Sequence, residues 1–218
     1  MPIERILSES DIKKVIKANS KPPFAIRNKM IVIVTSYWLL SPTEASELRL
    51  EDVMDRDGQF YRIWVLPEHV AQNGEAREIR TSDHIAGLIQ EYMGWWIANN
   101  LYGSGKKAYQ GRDPKAHFVL NDNYEKYALS KRDKDGATGF LPVALNKKLN
   151  SLLEKAGMVG CSASSFRDSG IKMFYDNGAR YQDLRDFTGI KTKKSLDSKI
   201  RPHEAELESV MNNLFRNL

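Results

Sequence analysis

The apolar run from Met30 to Leu40 is the feature that most constrains how this chain can fold. The run is too short to cross a bilayer, which takes about 20 apolar residues, and it contains Thr35 and Ser36. An apolar segment of this kind, extending over about 24–40, is typical of a helix buried on all sides. Other elements must cover such a helix, so we expect a mainly helical domain with this segment at its centre.

The remaining helices are predicted from caps and from apolar residues at helical spacing. Ser8 and Ser41 each stand at a helix start, because a small polar side chain can accept the free amide hydrogens of the first turn. Further helices are predicted over about 82–101, 141–156, 164–176 and 181–187.

A small antiparallel β-sheet is predicted between the helices. Segments 59–66 and 76–81 have strand composition, and Asn73-Gly74 between them is a strong signal for a tight turn. Segment 117–120 is a candidate third strand.

Composition narrows the class of protein without naming a function. The 218 residues are enough for one good-sized core, and a net charge of +5 with a pI near 9.1 suits an anionic partner. A single cysteine, Cys161, excludes an internal disulfide and fits a reducing cytosol. The four histidines lack ligand spacing, so we expect no metal or other cofactor. We also expect no targeting segment, no membrane span and no small-molecule substrate.

Three blocks, Leu39–Glu44, Gln72–Ile79 and Ser164–Lys199, carry a recognisable pattern in a fixed order and without internal gaps. Together they resemble the catalytic domain of the tyrosine recombinase (phage integrase) family, over roughly residues 8–215. The resemblance implies a mainly α fold with a small antiparallel β-sheet, similar to an integrase catalytic domain.

The resemblance also locates six catalytic positions, of which Arg167 alone holds the family's residue. Ser41 replaces an Arg, Gln72 a Lys, Ser164 a His, Ile190 a second His, and Lys199 the Tyr nucleophile. Loss of a covalent nucleophile costs on the order of 10⁶ in rate. The resemblance therefore implies that the chain is not an enzyme.

Some of these positions also have a structural interpretation. The run 41–44 (Ser-Pro-Thr-Glu) is a well-formed helix start, with Ser41 as N-cap and Glu44 closing a capping box. Ser164 or Ser165, with Asp168 following, is a candidate cap of a later helix. Arg167 is either a phosphate contact or a structural arginine, and the sequence leaves both interpretations open.

Double-stranded DNA is the partner that the resemblance implies. Two of the expected contacts lie in the polar, basic region 102–140, for which a solvated, mobile loop is the alternative interpretation. Others cluster where the family brings its nucleophile to the phosphate, and a local positive charge there suits contacts with the DNA backbone. The predicted DNA contacts are Arg167, Arg77, Gln72, Ser164, Lys191, Lys193, Lys194, Lys199, Lys131 and Arg132.

An amphipathic helix is predicted over 203–218. In recombinases a comparable terminal helix docks onto a neighbouring protomer, which implies a homo-oligomer, although packing on its own domain is an alternative. The apolar face of this predicted helix consists of Leu207, Val210, Met211, Leu214 and Phe215.

We expect residues 1–218 to form a single integrase catalytic-domain-like domain, with a core of about 8–202 and no preceding core-binding domain. The first hypothesis is a non-catalytic, cytoplasmic and nucleoid-associated DNA-binding protein that regulates transcription or maintenance of a mobile element or conjugative plasmid. One alternative is an accessory partner of an active recombinase. Another is a recombinase with a displaced nucleophile such as Tyr175 or Tyr181.

Overall fold

The computed structural model describes residues 5–134 and 137–200 and, beyond them, residues 211 and 214. Within this part of the chain the helices are α1 (Glu9–Ala18), α2 (Ala25–Ser36), α3 (Pro42–Glu47), α4 (Leu50–Val53), α5 (Asp83–Ala98), α6 (Val143–Lys155), α7 (Ala163–Asp176), α8 (Tyr181–Thr188) and α9 (Lys193–Ile200). The strands are β1 (Ile63–Leu66), β2 (Arg77–Arg80), β3 (Ser130–Lys134) and β4 (Ala137–Leu141).

The strands form two separate antiparallel pairs. β1 pairs with β2, with Ile63 opposite Arg80 and Leu66 opposite Arg77. β3 pairs with β4, with Lys131 opposite Phe140. The predicted fold class, mainly α with a small amount of antiparallel β structure, is confirmed.

Helix α2 is buried at the centre of the fold, as its apolar sequence predicts. It packs against α1, α5, α6 and α7. The helix ends at Ser36, and the chain then turns at Leu39, whose φ is 53°. Its fully buried Arg27 donates to the Leu120 carbonyl at 2.9 Å and lies 4.4 Å from the centre of the Phe24 ring. No helix in the described part of the chain is long and apolar enough to cross a membrane.

Gly170 allows α7 to lie directly against the end of α2. A Cβ atom at this position would be 2.0 Å from the Ser36 carbonyl oxygen and 2.5 Å from Leu39 Cδ2. Both distances are far below van der Waals contact, so no side chain fits between the two helices. This close approach sets the position of Arg167, which is one turn earlier on α7.

A smaller apolar cluster fixes α8 and α9 against α7. Helix α9 was not predicted from the sequence, yet Leu196 and Ile200, four residues apart, lie on one of its faces and are buried. The cluster consists of Leu39, Ile171, Leu184, Leu196 and Ile200.

Three predicted features differ from the structure. Residues 130–134 and 137–141 form the paired strands β3 and β4 and not a loop. The sequence of β3, Ser-Lys-Arg-Asp-Lys, lacks the apolar alternation that would have predicted a strand. Segment 117–120 forms only isolated bridges, at His117 and Leu120, within the described residues. Gly74, with a φ of 70°, turns the chain inside the longer connection 67–76 between β1 and β2 and does not make a tight hairpin.

The predicted C-terminal helix falls mostly outside the described residues, which include neither Leu207, Val210 nor Phe215. Met211 and Leu214 are helical, and they are 56% and 69% exposed.

We expect Gly170→Ala to lower the free energy of unfolding by about 1–3 kcal/mol or more, because the added methyl group overpacks the α2–α7 contact. Gly87→Ala and Gly94→Ala are matched controls on α5, since a Cβ atom at either position meets nothing within 4 Å. Each control should stabilise its helix by about 0.5–1 kcal/mol. Urea unfolding measures all three variants, and equal stability of Gly170→Ala and Gly87→Ala would contradict the close approach.

Candidate functional site

Ser41 and Glu44 form the predicted capping box at the start of α3. The Ser41 hydroxyl accepts a hydrogen bond from the Glu44 amide at 3.3 Å, and Glu44 Oε2 accepts from the Ser41 amide at 2.8 Å. Glu44 Oε1 accepts a further hydrogen bond from the Gln72 amide at 3.0 Å. Ser41 therefore has a structural role, and the main chain at Gln72 fixes connection 67–76 against α3.

Arg77 forms a buried two-pronged ion pair with Glu44. Its Nη1 and Nη2 atoms lie 2.6 and 2.8 Å from the two carboxylate oxygens, and its Nε donates to the Phe187 carbonyl at 3.0 Å. Arg77 is 7% exposed, and all three of its guanidinium nitrogens are used inside the protein. The sequence-based assignment of Arg77 to the DNA surface is therefore corrected: this arginine joins β2 to α3 and α8.

The charges around Glu44 keep its carboxylate ionised despite its burial. Burial by itself raises the pKa of Glu44, but the hydrogen bonds and charge of Arg77, together with the charge of Arg167, bring this pKa below its ordinary value of 4.5. The pair therefore stabilises the folded state at neutral pH.

Arg167 ties three parts of the fold together through main-chain carbonyl groups. Its Nε donates to the Leu39 carbonyl, and its Nη2 donates to the Thr188 carbonyl, both at 2.7 Å. Burial lowers the pKa of the Arg167 guanidinium, and the carboxylates of Glu44 and Asp168 oppose that shift. This arginine has structural partners at the end of α2 and at the end of α8.

The turn after α8 brings Ile190 to the same place. Gly189 ends α8 with a φ of 67°, and its carbonyl accepts a hydrogen bond from Asn73 Nδ2 at 3.0 Å. A Cβ atom at Gly189 would be 3.2 Å from that nitrogen, so both the backbone conformation and the close contact favour glycine. The Ile190 amide donates to Thr188 Oγ1 at 3.3 Å.

Lys199, at the position of the family's nucleophile, forms an ion pair with Asp168. The Lys199 Nζ atom donates to Asp168 Oδ2, and the two side chains are 32% and 11% exposed. The pair joins α9 to α7 beside Arg167. Ser164 or Ser165, with Asp168 following, was the predicted cap, but α7 begins after Ser162, whose amide donates to the Ser165 hydroxyl at 3.0 Å.

Five of the six positions implied by the resemblance therefore meet around Glu44, Arg77 and Asp168. The sixth, Ser164, is exposed on the first turn of α7, and its hydroxyl lies 2.8 Å from the Ser162 hydroxyl. Asp168 was not among the functional residues predicted from the sequence, because Lys199, with which it pairs, is 31 residues away. The positions that meet are Ser41, Gln72, Arg167, Ile190 and Lys199.

The predicted basic contacts fall into two groups near connection 67–76. In the first group, Lys191 forms an ion pair with Glu75 at 2.6 Å, and the exposed Lys193 and Lys194 follow at the start of α9. In the second group, Lys131 and Arg132 are exposed on strand β3 of the β3–β4 hairpin. A cavity of about 610 Å³ is lined by residues of the connection, including Gln72, and of the hairpin, including Phe140.

Among residues 5–134 and 137–200, no group of three His, Cys, Asp or Glu side chains is placed to bind a metal ion together.

This arrangement of helices and paired strands is the fold of tyrosine-recombinase catalytic domains. XerA recombinase has a TM-score of 0.67 and 15% identity, with 100% of this chain aligned to 65% of XerA. The Tn1549 transposon integrase (residues 82–397), in complex with circular intermediate DNA, has a TM-score of 0.61 and 11% identity, covering 96% of this chain and 67% of the integrase chain. XerH recombinase, bound to palindromic difH substrate after cleavage, has a TM-score of 0.59 and 12% identity, covering 95% of this chain and 52% of the XerH chain.

At these identities the likeness establishes the fold. The chain spans about half to two thirds of the length of these recombinase chains. No protein-family model and no curated protein sequence matches the chain.

We expect Glu44→Gln to lower the free energy of unfolding by about 3–5 kcal/mol at neutral pH, because it leaves the buried Arg77 guanidinium without its counter-charge. Glu78→Gln is the matched control on β2, where the exposed ion pair with Arg80 contributes at most about 1 kcal/mol.

The difference between wild type and Glu44→Gln should also depend on pH. Because the folded-state pKa of Glu44 is below 4.5, its stabilising contribution is complete above that pH and disappears as pH falls through the folded-state value. Urea unfolding at a series of pH values should show the two proteins converging in acid. A difference that stays constant down to the lowest pH would contradict this assignment.

Proposed function

We propose that this protein binds double-stranded DNA without cleaving it. In the proposed role it regulates transcription or maintenance of a mobile element or conjugative plasmid, associated with the nucleoid in the cytoplasm. The observation that supports the proposal most is that five of the six positions implied for catalysis lie together, and that side chains at these positions make structural contacts. Ser41 caps a helix, Arg167 binds two carbonyl groups, and Lys199 is paired with Asp168.

The side chains present at these positions do not support strand cleavage. A lysine ammonium has no hydroxyl oxygen to attack phosphorus, and loss of a covalent nucleophile costs on the order of 10⁶ in rate. Each missing preorganised hydrogen-bond donor lowers the rate by roughly a further factor of 10²–10³. Ser41, Gln72 and Ile190 supply no positive charge to a developing phosphorane.

The surface charge supports a DNA partner. Exposed basic residues at the start of α9 and on β3 are candidates for contacts with DNA phosphates, and both groups lie near connection 67–76. The Tn1549 integrase and XerH, which have this fold, are seen in complexes with DNA.

Self-association through the C-terminal segment is part of the proposal. Met211 and Leu214 are exposed apolar side chains, and a second copy of the chain would extend the DNA-binding surface. Light scattering tests this self-association by measuring the particle mass. The alternative role, as an accessory partner of an active recombinase, predicts that the chain alone has little affinity for DNA.

We expect the double substitution Lys193→Gln and Lys194→Gln to weaken binding to duplexes of any sequence. The slope of log K against log salt should fall in magnitude by about 1–2, because each lost phosphate contact releases about one counterion fewer. Lys14→Gln with Lys17→Gln on α1 is the control, since it removes the same charge from another exposed helix. Fluorescence anisotropy at several salt concentrations measures both variants, and an equal effect of the two would argue against a DNA site at α9.

We expect Lys199→Tyr to remain unable to cleave DNA, because Ser41, Gln72, Ser164 and Ile190 still replace the family's Arg, Lys and His residues. The measurement is the covalent protein–DNA adduct formed on a nicked duplex, resolved on a denaturing gel. An adduct with the variant would show that the residues around position 199 can still support cleavage. An adduct with the wild type would support a displaced nucleophile, and Tyr175→Phe and Tyr181→Phe would identify it.

A further inference from the structure

We propose that the β3–β4 hairpin enters the major groove of DNA and that Arg132 recognises a guanine there. This inference rests on the proposed function and deepens it, because it names the element and the side chain that would give DNA binding a sequence preference. It also separates Arg132 from its neighbour Lys131, for which the same role was predicted from the sequence.

The β3–β4 hairpin has no buried face among its described residues. Residues 130–133 of β3 and 139–141 of β4 are all exposed, which leaves both faces of this part of the hairpin open to solvent. A two-stranded hairpin is at best marginally stable by itself in water. A regular pair of strands that buries neither face in its own domain is therefore well placed to be covered by a partner.

Strand alternation divides the charged side chains of β3 between the two faces of the hairpin. On one face, Lys131 lies opposite Phe140 and forms an ion pair with Asp133 at 3.3 Å. Phe140 also lines the cavity of about 610 Å³ beside connection 67–76, so this face is turned toward the protein. Arg132 lies on the other face, and within the described part of the chain it forms no ion pair.

Gly139 is directly opposite Arg132 and keeps that face of the hairpin flat. No contact inside the protein requires a glycine here, because a Cβ atom would have the Arg132 carbonyl oxygen, at the ordinary distance of 3.8 Å, as its nearest neighbour. A glycine within a strand often marks a place where a ligand approaches the main chain closely. Arg132 therefore belongs to a face that a partner can approach closely.

The width of the hairpin and the charge of this face suit the major groove of DNA. That groove is about 12 Å wide and admits a two-stranded ribbon, whose strands are about 4.8 Å apart. An arginine in the groove can donate two hydrogen bonds to O6 and N7 of guanine, which is the commonest specific contact to a base. Lys131 is on the opposite face and is paired with a carboxylate, so we assign base recognition to Arg132 alone.

The first experiment compares Arg132→Gln with Lys131→Gln, which removes the same charge from the opposite face of the same strand. Duplexes are selected from a random pool with the wild-type protein, and binding of the selected duplex and of a scrambled duplex is then measured at one salt concentration. We expect Arg132→Gln to bind the selected duplex about tenfold more weakly and to affect the scrambled duplex much less. Lys131→Gln should weaken binding to both duplexes by the same factor.

The second experiment locates the base contact with 7-deazaguanine, which pairs normally but lacks the N7 acceptor. Each guanine of the selected duplex is replaced in turn. At one position the analogue should weaken binding by the wild type and by Lys131→Gln several-fold, and it should leave binding by Arg132→Gln unchanged. A merely structural role of Arg132 would not produce this dependence on a single base atom.

Gly139→Val tests the close approach of DNA to the hairpin. Valine suits a strand, and a Cβ atom at this position has room, so thermal unfolding should show no loss of stability. The added side chain stands on the face of Arg132, and we expect it to weaken binding to the selected duplex as Arg132→Gln does.

Equal weakening of the selected duplex by Arg132→Gln and Lys131→Gln would overturn the inference and leave the proposed function standing. Equal binding of all duplexes by the wild type would have the same meaning. Absence of DNA binding at any salt concentration would refute the proposed function and, with it, the inference. A particle mass that falls in Gly139→Val, with DNA binding unchanged, would assign the hairpin to a protein partner and overturn the inference.

Discussion

The buried ion pair between Glu44 and Arg77 is the interaction on which the rest of the site depends. Removing two charges from water costs several kcal/mol for each ion, so such a pair is compatible with folding only when its hydrogen bonds are complete. Here the carboxylate accepts hydrogen bonds from the Ser41 and Gln72 amides and from two nitrogens of Arg77. The third nitrogen of Arg77 reaches the Phe187 carbonyl. One pair thus connects α3, connection 67–76, β2 and α8.

The fold is that of recombinase catalytic domains, and the side chains that meet at its centre make structural contacts. Arg167 binds carbonyl groups at the ends of α2 and α8, and Gly170 lets α7 approach α2 closely enough for that contact. These are contacts that hold elements together, and they require the same positions that catalysis would use. Because function depends on the site and not on the fold, the likeness to recombinases is compatible with a non-cleaving protein.

Periodicity predicted the parts of the fold whose residues face an apolar interior. Helix α2 was predicted because its sequence is continuously apolar, and α3 because its capping box lies within four consecutive residues. Strand periodicity also explains the burial of Arg77. This residue is two positions before Ile79 on β2 and therefore lies on the same, buried face of the strand. The β3–β4 hairpin had no such signal, because its described side chains are polar or exposed.

Contacts between distant charged residues have no signature in the sequence. Asp168 and Lys199 meet only because α9 packs on α7 through apolar side chains, so their pairing follows from tertiary structure. Their meeting also explains how a cluster of cations can be ordered without DNA. Glu44 pairs with Arg77 and Asp168 pairs with Lys199, and the charges of both carboxylates also act on Arg167. The side chains of this site are therefore ordered by partners from within the chain.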